Sequence, residues 1–273
     1  MTLLQSILLG IVQGLTEFLP ISSSGHLVLV PYLLNWNIPA EDAFIFNVLV
    51  QVATLVAVFA YFWKDLVSIV TEFFRGLLAR RPFDHPQARL GWNILVATVP
   101  AGVIGLVLKD AVEKAFASPI ATAIFLLVTA SLLVAAERLS KRQRGLEALT
   151  WIDAMWVGFS QALAIFPGIS RSGSTITGGM SRGLDRASAA RFSFLLSIPI
   201  MLAAGLLASL DLLDAPNLAK LLPNFIPGFI ASAITGYLAI HWLLGFLKRR
   251  PLLVFAGYCL VLSLLTFLVS LVR

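Results

Sequence analysis

Long apolar stretches, separated by short polar ones, set the rhythm of this chain. Ala43–Trp63, Gly91–Leu108, Ser118–Glu137, Phe192–Leu210, Phe225–Leu247 and Pro251–Val272 each approach or exceed the roughly 20 residues that a helix needs to cross a bilayer. Hydrocarbon leaves no partner for an exposed backbone amide, so such runs fold as helices. The pattern predicts an all-α polytopic membrane protein with six transmembrane helices. Two further segments, 1–35 and 150–181, have apolar arms of about 15–18 residues, near the spanning threshold. They are broken midway by Pro20 and Pro167 and by the polar stretches SSSG and SRSG. Such breaks are tolerated at depth where they line a protein cavity, so both read as re-entrant helical hairpins.

The two hairpins resemble each other. "QGLTEFLPISSSGH" (Gln13–His26) aligns without gaps on "QALAIFPGISRSGS" (Gln161–Ser174), with seven of fourteen positions identical, several of them polar. A weaker echo links "FNVLVQVA" (Phe46–Ala53) to "FSFLLSIP" (Phe192–Pro199). The chain divides into two related halves, 1–140 and 150–273, each a hairpin plus three spans, together one membrane domain.

Composition narrows the classes. Of 273 residues 59% are hydrophobic and 12% charged, against about 25% charged in soluble domains. The net charge of +6 does not point to nucleic acid, because the basic residues sit at the ends of apolar runs. Fifteen of the 20 Lys and Arg fall in four connections, around 64–89, 138–144, 182–191 and 248–250. The others, which hold Lys109, Lys114, Asp211, Asp214, Lys220 and Arg273, are poor in basic residues. The positive-inside bias makes the rich connections cytoplasmic. With that constraint the first hairpin starts and ends outside, the second starts and ends inside, and the repeat is of inverted topology. Cys259, the single cysteine, excludes an internal disulfide and reads as a small buried apolar group. "MTLLQSILLGIVQGL" lacks the basic start and cleavage site of a signal peptide, so it is expected to be part of the mature chain.

The chemistry sits at the hairpin apices. Glu17 and Gln13, four apart, share a helix face, and a carboxylate at bilayer depth costs on the order of 2.5–3.5 kcal/mol when charged. Glu17 is either a protonated structural glutamate or a metal ligand or base in a polar cavity. Ser22, Ser23 and Ser24 each suit a helix cap; together with His26 they supply hydroxyl, imidazole and carboxylate, the parts of an activated nucleophile. His85, in a basic loop, is expected to be solvated, and His241 to be structural. Arg171, in "PGISRSGST" (Pro167–Thr175), is the one basic residue not assigned to a connection or chain end. Its guanidinium suits a bidentate grip on phosphate, helped by the following helix start; the alternative is an Arg171–Glu17 ion pair that only joins the halves. A secondary transporter or flippase of a lipid phosphate is the rival function, since broken helices in inverted repeats are its signature.

"QGLTEFLPISSSGH" and "PGISRSGST" resemble the paired motifs of the undecaprenyl-diphosphate phosphatase family, membrane enzymes associated with bacitracin resistance, and the similarity covers the whole chain. The resemblance implies hydrolysis of undecaprenyl diphosphate to the monophosphate carrier and inorganic phosphate. It implies the bacterial cytoplasmic membrane, multi-pass, with a site open to the outer face, and dependence on Mg²⁺ or Ca²⁺. Carried onto this chain, Glu17, Ser23, His26 and Arg171 are catalytic, with Ser23 or His26 as nucleophile. Gln13, Ser22, Ser170, Ser172 and Thr175, with Arg171, are the expected substrate contacts. Many members have Glu where this chain has Gln13, so a metal would be held by Glu17 and the substrate diphosphate. Expected partners are the prenyl diphosphate lipid and membrane lipids, not nucleic acid, with a homodimer left open.

Overall fold

The computed structural model describes residues 1–213 and 218–272; Asp214 and Arg273, counted above among the flanking charges, lie outside them. In chain order the helices are α1 (Leu3–Phe18), α2 (Ser23–Leu33), α3 (Ala40–Tyr61), α4 (Trp63–Leu78), α5 (Pro86–Val107) and α6 (Lys109–Phe116), then α7 (Pro119–Leu139), α8 (Trp151–Ala162), α9 (Arg171–Ser181), α10 (Arg186–Leu213), α11 (Leu218–Leu247) and α12 (Leu253–Val272). No strand occurs among the described residues. Among the described residues six helices, α3, α5, α7, α10, α11 and α12, are long and apolar enough to cross a membrane. The chain is an all-α polytopic membrane protein.

Local chemistry sets the ends of these helices. Pro86 and Pro119 open α5 and α7, where a missing amide proton costs nothing. Thr2 and Thr150 cap α1 and α8 with the same reciprocal box, Thr2 with Gln5 and Thr150 with Asp153. Two elements were not anticipated. Val67, Val70, Phe74 and Leu77 recur at helical spacing among charges and make α4 an amphipathic helix with these side chains exposed; the basic residues around it had masked that periodicity. The other is α6, in the connection before α7. His85 is not merely solvated, for its Nδ1 accepts from Gln87 N and caps α5.

Each short hairpin packs on a long helix of the other half, through small residues. A Cβ on Gly10 of α1 would lie 2.2 Å from the Gly228 carbonyl oxygen of α11, and one on Gly14 would lie 2.0 Å from Thr235 Oγ1. A Cβ on Gly158 of α8 would lie 2.6 Å from the Ala97 oxygen of α5. Small residues four apart allow this close helix contact where apolar burial gives no preference over lipid. Contacts fix direction. Gly10 meets Gly228 and Gly14 meets Gly236, so α1 and α11 run the same way, and so do α8 and α5, through Gly158 on Ala97 and, in the turn just past α8, Ile165 on Gly105. Likewise α3 runs with α11, through Phe46 on Gly228 and Ala57 on Gly236. The end of α3 and the start of α5 line one cavity with the start of α10 and the end of α11, so α5 runs against α3. The two hairpins therefore point in opposite directions.

The basic connections are also clamps. Glu137, at the end of α7, accepts from Arg186 (2.6 and 2.5 Å), Arg142 (2.8 Å) and Leu252 N (2.8 Å). Asp153, at the start of α8, accepts from Arg144 (2.8 Å) and Arg182 (2.7 Å) as well as from Thr150. Burial alone would push the Asp153 carboxyl up, but these donors outweigh it and hold the group well below the usual carboxylate range.

Candidate active site

Both hairpins break for physical reasons, and the breaks meet. Pro20 stops α1, and the chain turns through Ser22, whose φ of 68° and ψ of 96° lie in strained territory for a side-chain-bearing residue. In the second hairpin Gly168 takes φ 100°, and an added Cβ would sit 2.3 Å from the Thr122 carbonyl oxygen. Only glycine fits there. Ser22 and Ser170 then cap α2 and α9, accepting from Gly25 N (3.2 Å) and Gly173 N (3.0 Å). The two apices are bonded to each other: Gly168 N donates to Ser22 Oγ (3.1 Å), and Ser172 Oγ donates to the Leu19 carbonyl (2.9 Å).

Glu17 lies where they join. Its Oε1 accepts from Arg171 Nη2 (2.6 Å), and its Oε2 accepts from Ser23 Oγ (2.5 Å) and Gln13 Nε2 (3.0 Å). One carboxylate thus gathers a guanidinium from the second half with a hydroxyl and an amide from the first. Arg171 also donates from Nη1 to the Ser193 carbonyl (3.4 Å), and Met201 Sδ lies 3.5 Å from Nη2. Ser23 and Arg171 are partly exposed, whereas Glu17 is 8% exposed behind them. They are the first residues of α2 and α9, so two helix starts, each with free amides and a positive dipole end, lie within side-chain reach of one carboxylate.

The remaining candidates divide. Ser22, Ser170, Ser172 and Thr175 are buried, and their hydroxyls are engaged within the apices; Thr175 Oγ1 donates to the Arg171 carbonyl (2.8 Å) and meets Ser193 Oγ at 2.6 Å. His26, also buried, is not bonded to Ser23. Its Nδ1 meets the Ser22 carbonyl at 2.7 Å and its Nε2 meets Tyr258 Oη at 2.7 Å. His241 stands apart from this site, 3.3 Å from Tyr61 Oη. Sequence reasoning missed Thr129, at the midpoint of α7, whose Oγ1 donates to the Gly168 carbonyl (2.8 Å) and accepts from Ser170 N (2.9 Å). It also missed Tyr258. The signal available was a polar residue inside an apolar run.

The donor set bears on a cation. No three His, Cys, Asp or Glu side chains form a metal-holding group among the described residues. Glu17 supplies one carboxylate, and Gln13 Oε1 beside it is buried without a hydrogen-bond partner. Oxygen ligands of this kind suit a hard cation that takes its other ligands from a substrate. The chemistry on offer is a hydroxyl with a base at hydrogen-bond distance, a guanidinium, and two helix starts.

Comparisons with known proteins agree with this chemistry. A family model described as bacitracin resistance protein BacA matches residues 6–265. A protein of Myxococcus xanthus named undecaprenyl-diphosphatase is 45% identical over 97% of this chain and 88% of its own length. Proteins of the same name from Thermomicrobium roseum (44%, covering 98% of both chains) and Methanosphaera stadtmanae (43%, covering 99% of both) are similarly close.

Proposed function

The chain belongs to the bacitracin resistance protein BacA family, and from that membership and the site geometry we propose that it is an integral membrane undecaprenyl-diphosphatase, releasing inorganic phosphate and leaving undecaprenyl phosphate. The observation that carries this reading is Glu17 bonded at once to Ser23 and Arg171. A hydroxyl 2.5 Å from a carboxylate is a nucleophile beside its base. Arg171 and the amides at the starts of α2 and α9 are the donors that a diphosphate needs. Ser23 Oγ attacks the terminal phosphorus while its proton passes to Glu17. The bond from phosphorus to the bridging oxygen breaks, and the lipid monophosphate leaves with that oxygen. Water then cleaves the phosphoserine and Glu17 returns the proton to Ser23. His26 shares a face of α2 with Ser23, three residues on, and its imidazole takes up the proton of that water by way of the Tyr258 hydroxyl bonded to Nε2. Such transfers depend chiefly on neutralising charge at the equatorial oxygens. A divalent cation held by Glu17, Gln13 Oε1 and the diphosphate would add to that neutralisation. The buried Ser22, Ser170, Ser172 and Thr175 shape the apices.

In this reading the hairpins are re-entrant. Four helices of 16, 11, 12 and 11 residues are shorter than a crossing needs, and the Thr129 contacts at mid-α7 support an apex at depth. The halves 1–140 and 150–273 are inverted repeats, the Arg-rich connections face the cytoplasm, and the site opens outward in the cytoplasmic membrane. The test is phosphate release from undecaprenyl diphosphate by purified protein in detergent. A transporter releases none there, since no second compartment exists. Glu17→Gln is expected to cut turnover by about a hundredfold or more in protein that still folds; full activity would reject the assignment.

A further inference from the structure

His26 is held by two bonds of different kinds. The Ser22 carbonyl, 2.7 Å from Nδ1, can only accept. The ring proton of neutral His26 is therefore on Nδ1, and Nε2 carries the lone pair. Tyr258 Oη lies 2.7 Å from that Nε2 and so donates to it. The rings are nearly parallel, 8° apart with centroids at 5.5 Å, so the phenol packs on the imidazole as well as bonding to it. His26 is 3% exposed and Tyr258 44% exposed. Of the bonded pair, the phenol is the partner that reaches the surface. Tyr258 comes from α12, the last helix, which otherwise packs chiefly on α7, and nothing in the apices themselves requires a phenol there.

We infer that Tyr258 is a positioning residue for His26: the Ser22 carbonyl fixes the Nδ1–H tautomer and the Tyr258 hydroxyl fixes the direction of the basic nitrogen, so that the last helix of the second half tunes the imidazole of the first. The inference rests on the reading above that His26 takes part in turnover. A tyrosine serving only as packing would be replaced by phenylalanine without effect on the chemistry.

The experiment compares Tyr258→Phe, His26→Ala and the double variant in detergent, with undecaprenyl diphosphate as substrate. Tyr258→Phe keeps the stacked ring and removes one hydroxyl. Its kcat is expected to fall by about tenfold, the worth of one good hydrogen bond, with KM within about twofold of the parent. In the His26→Ala background the same change should cost nothing more, because the bond is already gone. Nitrogen chemical shifts of the three histidines in protein labelled only at His supply a second readout. One ring is expected to be an Nδ1–H tautomer in both proteins, with its Nε2 resonance shifted in Tyr258→Phe by loss of the hydroxyl bond, whatever the activity. If His26→Ala turns over normally while Glu17→Gln does not, the role given to His26 falls. The inference on Tyr258 is overturned if His26→Ala is impaired and Tyr258→Phe has parental kcat, if the loss persists in the double variant, if KM alone changes, or if the Nε2 resonance is unmoved.

Discussion

Glu17 illustrates how one residue can organise a site. Its two oxygens take three donors from two halves of the chain, which is how a carboxylate becomes tolerable away from water. The same contact is the ion pair that would join the halves without any substrate, so the functional role has to be read from substitutions. Arg171→Lys keeps the charge and a donor for Glu17 but loses the planar fork. It is expected to lower kcat/KM between about tenfold and a hundredfold while the thermal midpoint stays put; a purely structural pair would show the reverse. Glu17, Ser23 and Arg171 were legible in the sequence because ionisable or clustered polar residues are rare in apolar chain. Thr129 and Tyr258 were not. A threonine in a membrane helix usually bonds its own backbone, as Thr98 and Thr266 do here, and a half-exposed tyrosine is ordinary at a lipid boundary. Nothing local tells these apart.

At the scale of elements, the seam between α1 and α11 depends on the absence of side chains. A Cβ on Gly10 has backbone, not a flexible side-chain tip, as its nearest neighbour, so the helices must separate to admit one. Gly10→Leu is expected to destabilise the fold by about 1–3 kcal/mol or more, seen as a lower melting temperature and faster proteolysis. Gly257→Leu on α12, where an added Cβ meets nothing within 4 Å, should leave both unchanged. The long spans and both hairpins follow from hydropathy and proline placement, and their observed ends differ from the expected ones by a few residues. α4 escaped because its charges read as a connection, and α10 begins at Arg186, six residues before the apolar run, because arginines bonded to Glu137 and Asp65 stay helical at its start. The seam glycines carried no signal of their own. Gly-rich apolar helices are common, and which glycine meets which backbone is decided by packing.

Over the whole molecule, charge does two jobs. The connections rich in arginine were expected to orient the chain, and several of those arginines also close on Asp153 and Glu137. Asp153→Asn is expected to cost about 3 kcal/mol at neutral pH, the lower end for removing one partner of a buried ion pair. Because the folded carboxyl is held below its ordinary value of about 4, the stabilisation is complete above that value and is lost as pH falls toward the folded one. The gap between parent and variant should therefore be flat from pH 5 to 8 and narrow below about pH 4, in parallel melts. Orientation has its own check. Cys259 is buried, so in Asn37→Cys and Gln143→Cys proteins the introduced thiols dominate labelling. A membrane-impermeant reagent added to intact cells is expected to modify position 37 and not 143; the opposite result would invert the proposed orientation.

The clasp between α1 and α11 also has a consequence in time. The first hairpin leaves the ribosome long before the helix that grips it exists, so it must wait in the membrane, its strained turn unsupported, until nearly the whole polypeptide has been made. Neither half is finished until the other arrives. A protein cut at the link between them should assemble only when both pieces are made in the same cell, and a ribosome stalled before α11 should leave every reactive group synthesised and the enzyme still inert.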